Sequence, residues 1–358
     1  MTKHETSGAR EGESTNIQKA SRPERTLFVQ SENHLFVIKI GNGIQSNCSV
    51  MKLPYHLMGM FELESKMFLL GGKEFDVAPR EIYEVKQDSN NSVSLVPSSV
   101  VPEMNDGKGT AIVQKFGSKI FALHMGPDFQ YDKPSGRYTS KVFEVFDSAF
   151  PEKGWAVKSG IPFFHGALSE GGYALLRFFR VGENLYLDVR GKPRGVYVFN
   201  LKTEEWSKDD PFFWGRHNPI GSPLRAVSAP GLDDETYVVF GSHFRAALFT
   251  QGKGCSCYQD VDAIFNLEGL DREYMSFQFV ETGKGDYLGL LSAQDENTQD
   301  FYLLISTFSL EVLTAQVPPI PSPGEPIKMT FLSINRKNQQ KLNITGARFH
   351  YFAGAACL

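Results

Sequence analysis

The sequence predicts an all-β fold, a single ring of six four-stranded antiparallel blades. Three observations carry this. Apolar, β-rich strands begin at Leu27, Met67, Ile120, Leu185, Tyr237 and Tyr287, spaced 40 to 65 residues apart. A repeat near 50 residues is the length of one propeller blade. Helical periodicity is nearly absent, with Val261–Leu267 the one expected helical turn, and the 29 Phe favour strands.

Each repeat reads as four strands, a to d from the ring axis outward. The stretch Gly195–Trp206, GVYVFNLKTEEW, is the clearest c–d hairpin: an alternating strand, a polar turn, then Trp. Strand b of each copy is a short apolar run, such as Met67-Phe-Leu-Leu or Ile120-Phe-Ala-Leu. Strand a precedes it at Met58–Leu63, Thr110–Lys115, Ala174–Val181, Arg225–Ala229 and Met275–Val280. In the sixth copy Phe301–Ile305 reads as strand c and Leu310–Leu313 as strand d. The first copy has no strand a. A propeller leaves no open edge when one terminus completes the blade begun at the other, so Lys341–Phe352 is expected to supply it. Met329–Ile334 fits no position; it is expected either to replace that strand or to begin a partial seventh blade.

Residues 1–25 are polar, lack an apolar core and read as a disordered tail rather than a secretory signal. Residues 26–358 form the propeller domain. Net charge is −4 and pI about 6.1, which argues against nucleic acid or an anionic membrane as partner. No apolar run approaches the ~20 residues of a membrane span. Cys48, Cys255, Cys257 and Cys357 are expected as free thiols in a reducing compartment, cytoplasmic or nuclear. The sequons at Asn47, Asn90 and Asn343 are then accidental. Cys255-Ser-Cys257 has no second Cys or His pair nearby, so no zinc is expected there.

Gly71-Gly72 at a strand end and the Tyr197…Trp206 pair, with Tyr83 and Trp155 in neighbouring blades, resemble the kelch-repeat superfamily. The pattern is most similar to the divergent galactose-oxidase-like and kelch-like proteins of plants. The likeness spans residues 26 to 352 as pattern. It implies a protein-interaction module. Kelch-type F-box proteins carry a helical F-box ahead of the propeller; the polar tail has no helical pattern, so none is expected. Copper-radical oxidases of this superfamily are secreted and use a cross-linked Cys, which Cys48, Cys255 and Cys257 do not match. The iron-dependent specifier proteins carry E-x-x-x-D-x-x-x-H, absent here.

Antiparallel alternation places all b–c and d–a connections on one side of the disc. That face is expected to carry Lys73, His124, Arg190, Arg194, His243 and Arg245 from b–c segments, and His165, Trp214, Arg216 and His217 from d–a segments. Arg recognises carboxylate or phosphate, and aromatic side chains give apolar anchors. The a–b and c–d turns opposite read as short and plain. No G-x-S-x-G, P-loop or metal-ligand frame occurs, and no cofactor or metal is expected.

The sequence therefore points to a monomeric recognition module that presents the b–c/d–a face to a partner protein or an anionic or aromatic small molecule. The alternative is a small-molecule enzyme of plant specialised metabolism. It would use His124 and His243 for acid–base chemistry at the channel mouth, with Arg190 and Arg245 holding an anion.

Overall fold

The computed structural model describes residues 25–31, 33–40, 44–73, 78–88, 90, 92–124, 131–132, 137–138, 142–158, 161–162, 174–190, 195–208, 223–229, 231–241, 245–251, 254–260, 264–283, 286–317, 327–343 and 352–357. Blade 1 contains β1 (Arg25–Ser31), β2 (His34–Ile40) and β3 (Ile44–Lys52). Blade 2 follows with β4 (Gly59–Leu63), β5 (Lys66–Leu70), β6 (Ile82–Gln87) and β7 (Val93–Pro97). Blade 3 has β8 (Ala111–Phe116) and β9 (Lys119–His124), then a two-stranded ribbon of β10 (Tyr131–Asp132) and β11 (Arg137–Tyr138), then β12 (Phe143–Asp147) and β13 (Trp155–Val157). Blade 4 is β14 (Ala174–Val181), β15 (Asn184–Arg190), β16 (Gly195–Asn200) and β17 (Trp206–Lys208). Blade 5 is β18 (Pro223–Val227), β19 (Thr236–Gly241), β20 (Arg245–Thr250) and β21 (Gly254–Asp260). Blade 6 is β22 (Leu270–Gly283), β23 (Asp286–Asp295), β24 (Phe301–Val317) and β25 (Ile327–Asn343). The last strand, β26 (Phe352–Cys357), pairs antiparallel with β1 and becomes the inner strand of blade 1.

Why the blades form a ring follows from the period of a strand. Successive side chains point to opposite faces, so a strand buried on both sides feeds two interfaces. In β5, Met67 and Leu69 pack against blade 1, with Leu35, Val37 and Phe28. Phe68 and Leu70 pack against blade 3, with Ile120, Ala122 and Phe146. The same division holds around the molecule. Phe121 and Phe143 meet Leu185, Leu187 and Phe199 between blades 3 and 4. Phe179 and Val181 meet Val239 and Phe249 between blades 4 and 5. Phe240 meets Phe279 and Phe308 between blades 5 and 6. Val280, Leu288 and Leu290 meet Leu27, Val29 and Ile38, returning to blade 1. Six blades share six interfaces, so among the described residues each blade packs on both of its faces. The fold is a six-bladed β-propeller.

Aromatic rings supply much of the interface area. Phe143 lies edge-on to Phe199 with ring centroids 4.9 Å apart, and Phe240 stacks on Phe279 at 4.0 Å. Burying one such ring contributes about 1.5–3 kcal/mol, and an aromatic pair adds ~0.5–1.5 kcal/mol through geometry. Where the inner strands run closest, side chains are excluded. A Cβ on Gly59 of β4 would lie 2.2 Å from Val113 Cγ2 of β8.

The structure corrects several expectations. The strand closing blade 1 is Phe352–Cys357, whereas Lys341–Asn343 belong to β25. Met329–Ile334 also lies in β25, the outer strand of blade 6, and no seventh blade is present among the described residues. Leu310–Leu313 is no separate strand but a continuation of β24. Of the expected helical turn Val261–Leu267, residues 261–263 lie outside the described residues and Ile264–Leu267 is not helical, while Pro151–Lys153 forms a single 3-10 turn that the pattern did not indicate.

The face opposite the b–c loops is also not uniformly plain. β23 pairs with β24 only from Phe301 to Ser309; beyond that, Leu310–Val317 pairs with Ile327–Ile334 alone. This c–d hairpin overhangs its blade by eight residues. Leu310, Leu332 and Ile334 fold onto Val227, Ala229 and Leu232 of blade 5.

Polar side chains fasten the blades on this side. Tyr287 donates to the Ser228 carbonyl across blades 5 and 6. Arg180 Nη1 donates to the Lys115 carbonyl across blades 3 and 4 at 2.7 Å. In the hairpin of β16 and β17, Asn200 Oδ1 accepts from the backbone N–H groups of Lys202 and Thr203, both at 2.9 Å. That turn delivers Glu204, at φ +59°, to Lys119 and Lys158 of blade 3, and both ammonium groups donate to its carboxylate. Partial burial pushes the Glu204 carboxyl up, but the hydrogen bonds and charges of the two lysines outweigh it and hold the group below its ordinary value.

A depressed folded-state pKa stabilises the fold above the unfolded carboxyl value, ~4.3. That contribution disappears as pH falls through the folded-state value. Glu204→Gln is therefore expected to cost about 1 kcal/mol at pH 7 and to flatten the decline in stability below about pH 4.5. Urea melts across pH 3–7 check this; an unchanged acid limb would show the clamp to be idle.

Candidate functional site

The b–c/d–a face is built around the diglycine of blade 2. Gly71 and Gly72 have φ of +63° and +100°, a region that favours glycine. They also sit between two chain crossings. A Cβ on Gly71 would lie 2.5 Å from the Lys108 carbonyl oxygen, and one on Gly72 would lie 2.7 Å from both Met58 Cγ and Tyr55 Cβ. The Gly72 N–H donates to the Lys108 carbonyl at 2.9 Å. One residue on, Lys73 exchanges two backbone hydrogen bonds with His56, at 2.9 and 3.1 Å. The diglycine thus lets the d–a connections entering blades 2 and 3 pass close over the end of β5.

The second of these connections, residues 98–110, is held by one carboxylate. Glu144 of β12 is fully buried. Its Oε2 accepts from the Asn105 N–H at 2.8 Å and the Asn105 side-chain amide at 2.7 Å. Its Oε1 accepts from the Asp106 N–H at 3.1 Å and from the Lys108 ammonium. Lys108 is itself fully buried and also donates to the Asp106 carbonyl at 2.7 Å. Asn105 donates further to the Trp155 carbonyl at 2.6 Å, and the Trp155 indole N–H donates to the Pro102 carbonyl at 2.8 Å. Such complete satisfaction is what allows a charge pair to be kept out of water.

His124 ends β9 beside this network and is 5% exposed. Its Nδ1 accepts from the Gly109 N–H at 3.0 Å, and its backbone N–H donates to the Val142 carbonyl at 2.9 Å. The imidazole thereby fixes the last residues of the same connection. Lys73 is half-buried, and its backbone is tied to His56. Arg190 ends β15, opposite Ala174 in the ladder. Arg245 begins β20 and is 45% exposed at its side chain; its Nε lies 3.1 Å from Asp260 Oδ1 at the end of β21. Lys73, His124, Arg190 and Arg245 thus stand at b-strand ends or a c-strand start, all on the b–c side by topology. His165, Arg194, Trp214, Arg216, His217 and His243 lie outside the described residues.

Sequence reasoning missed Lys108, Glu144 and Asn105. The available signal was Glu144 itself, a carboxylate within the apolar strand Phe143-Glu-Val-Phe. Among the described residues no three His, Cys, Asp or Glu side chains cluster with metal-holding geometry. No described helix is long and apolar enough to cross a membrane.

No protein-family model matches the chain, and no curated protein matches it. Among solved structures, the chain is similar to apo AztD from Citrobacter koseri, with 9% identity over 94% of this chain and 98% of that one and a TM-score of 0.36. A crystal structure of AztD from the same organism is similar at 10% identity over 87% of this chain and 98% of that one, with a TM-score of 0.30.

Proposed function

We propose that the protein is a kelch-like recognition module of the cytoplasm or nucleus that binds a partner protein through its b–c/d–a face. The observation that most supports this reading is the placement of Lys, His and Arg residues at strand ends on one side of four successive blades. These are Lys73, His124, Arg190 and Arg245. His124 serves by fixing the connection that borders the face. Arg190 and Arg245 act toward the partner. Arg245 already holds one carboxylate, Asp260, in an exposed pair, and exposed pairs are exchanged at little cost. A partner segment rich in Asp or Glu is the matching chemistry. Arg194, His165, Trp214, Arg216, His217 and His243 belong to the same proposed surface, with Trp214 as its apolar anchor.

The test is affinity purification with mass spectrometry from the source tissue. It compares the wild type with the triple variant Arg190→Ala, His243→Ala, Arg245→Ala. Capture of a protein by the wild type and its loss in the folded variant supports the reading. Equal capture by both moves the binding surface elsewhere.

A further inference from the structure

The overhanging hairpin of blade 6 leaves a strand edge of unusual composition. Four of the six outer edges are short or guarded: β13 and β17 have three residues each, β7 ends in Pro97, and β25 carries exposed Arg336, Lys337 and Lys341. Short strands, lysines and prolines are the ordinary means of preventing edge-to-edge pairing. The edge of β24 beyond Ser309 has none of them. Leu310–Val317 reads Leu-Glu-Val-Leu-Thr-Ala-Gln-Val, a run of about 26 Å at ~3.3 Å per residue. Among the described residues no strand pairs with it on the side away from β25. Leu310 turns into the interface of blades 5 and 6 and is 1% exposed, whereas Leu313 on the other face is 51% exposed.

We propose that a second copy of this chain pairs antiparallel along this edge, with Leu313 on the two-fold axis. Residues opposite one another in an antiparallel pair share a face, which permits few registers. With Leu313 opposite itself, Glu311 faces Ala315, Val312 faces Thr314 and Leu310 faces Gln316. The single charge of the segment meets no like charge, and the exposed leucine is covered by its own copy. This pairing replaces the sequence-based expectation of a monomer, and it leaves the b–c/d–a face of both copies open.

Cross-linking tests the register directly. Cα atoms of opposite residues are ~4.5–5.5 Å apart, within the ~4.4–6.8 Å that a disulfide spans. In a Cys48→Ser background, which removes an exposed thiol, Leu313→Cys is expected to form a disulfide-linked dimer on mild oxidation. Glu311→Cys, offset from its copy by about 13 Å in this register, is not. In sedimentation velocity the wild type should show concentration-dependent dimer. Leu313→Lys, which sets two ammonium groups face to face, should sediment as monomer with an unchanged melting temperature. The proposal is overturned by a wild type that stays monomeric at every concentration reached, by equal cross-linking of the two cysteine variants, or by dimer persisting in Leu313→Lys. It is likewise overturned if deleting residues 1–24 is needed before dimer forms, because the edge would then belong to the chain's own N-terminal segment.

Discussion

Removing residues 352–358 is expected to destroy cooperative folding rather than merely lower stability. β26 pairs with β1 from Leu27 to Ser31 and lies beside the inner strands β22 and β4 on either side. Without it, blade 1 loses its inner strand and β1 becomes an open edge. Blades 6 and 2 then lose the neighbour that separates and aligns them. Two of the six interblade clusters are affected together, those containing Leu27 and Val29 and Phe28 and Leu35. A single domain has only about 5–15 kcal/mol of net stability, and the loss is expected to consume more than about 5 kcal/mol of it. Near-ultraviolet circular dichroism and urea melts of the full and shortened chains decide the matter. A sharp transition with an unchanged midpoint in the shortened chain would mean that β26 does not close the ring.

The second large effect is expected at Lys108. Lys108→Met leaves the Glu144 carboxylate buried without its cation, a change that typically costs about 3–5 kcal/mol. Glu144→Gln in the same chain removes the stranded charge and keeps one amide oxygen, which can still accept from Asn105 while the Asp106 N–H loses its acceptor. The double variant should therefore be more stable than Lys108→Met alone by at least ~1 kcal/mol, although two residues are changed instead of one. Urea unfolding of the three variants gives the coupling. Strictly additive losses would show that the pair is not electrostatically linked in the folded state.

The sequence revealed strands wherever local pattern and tertiary role coincide. β14 was legible to the residue because Ala174–Val181 is bounded by Gly171-Gly172 and by Gly182, and Gly182 takes a φ of +55° in the turn. Strands b were legible as apolar runs because both faces are buried, as in Met67–Leu70. β24 and β25 were misread for a physical reason. They run 17 residues each, about three times a typical strand, and no Gly or Pro marks the point where β23 ends. The bulge between Thr307 and Phe308 shifts the alternation and makes one strand look like two. β26, Phe-Ala-Gly-Ala-Ala-Cys, was missed because Ala and Gly have low strand propensity. Its place as the inner strand of blade 1 follows from closure of the ring, a requirement that no local pattern expresses. In the site, the ends of strands b and c followed from topology. The Lys108–Glu144 lock did not, since residues 36 apart in the chain are brought together only by packing of one connection over the next blade.

The closure of blade 1 sets a clock on biosynthesis. Ser31 pairs with Phe352, so the inner partner of β1 leaves the ribosome only after the rest of the ring has been made. At ~5–20 residues per second, β1 waits for roughly 15–60 s with its edge unclaimed. Blades 2 to 5 have every strand they need long before then, while blade 1 does not. The nascent chain is thus an incomplete ring for most of its synthesis, and the interval in which it most needs a chaperone is determined by the distance between its two ends.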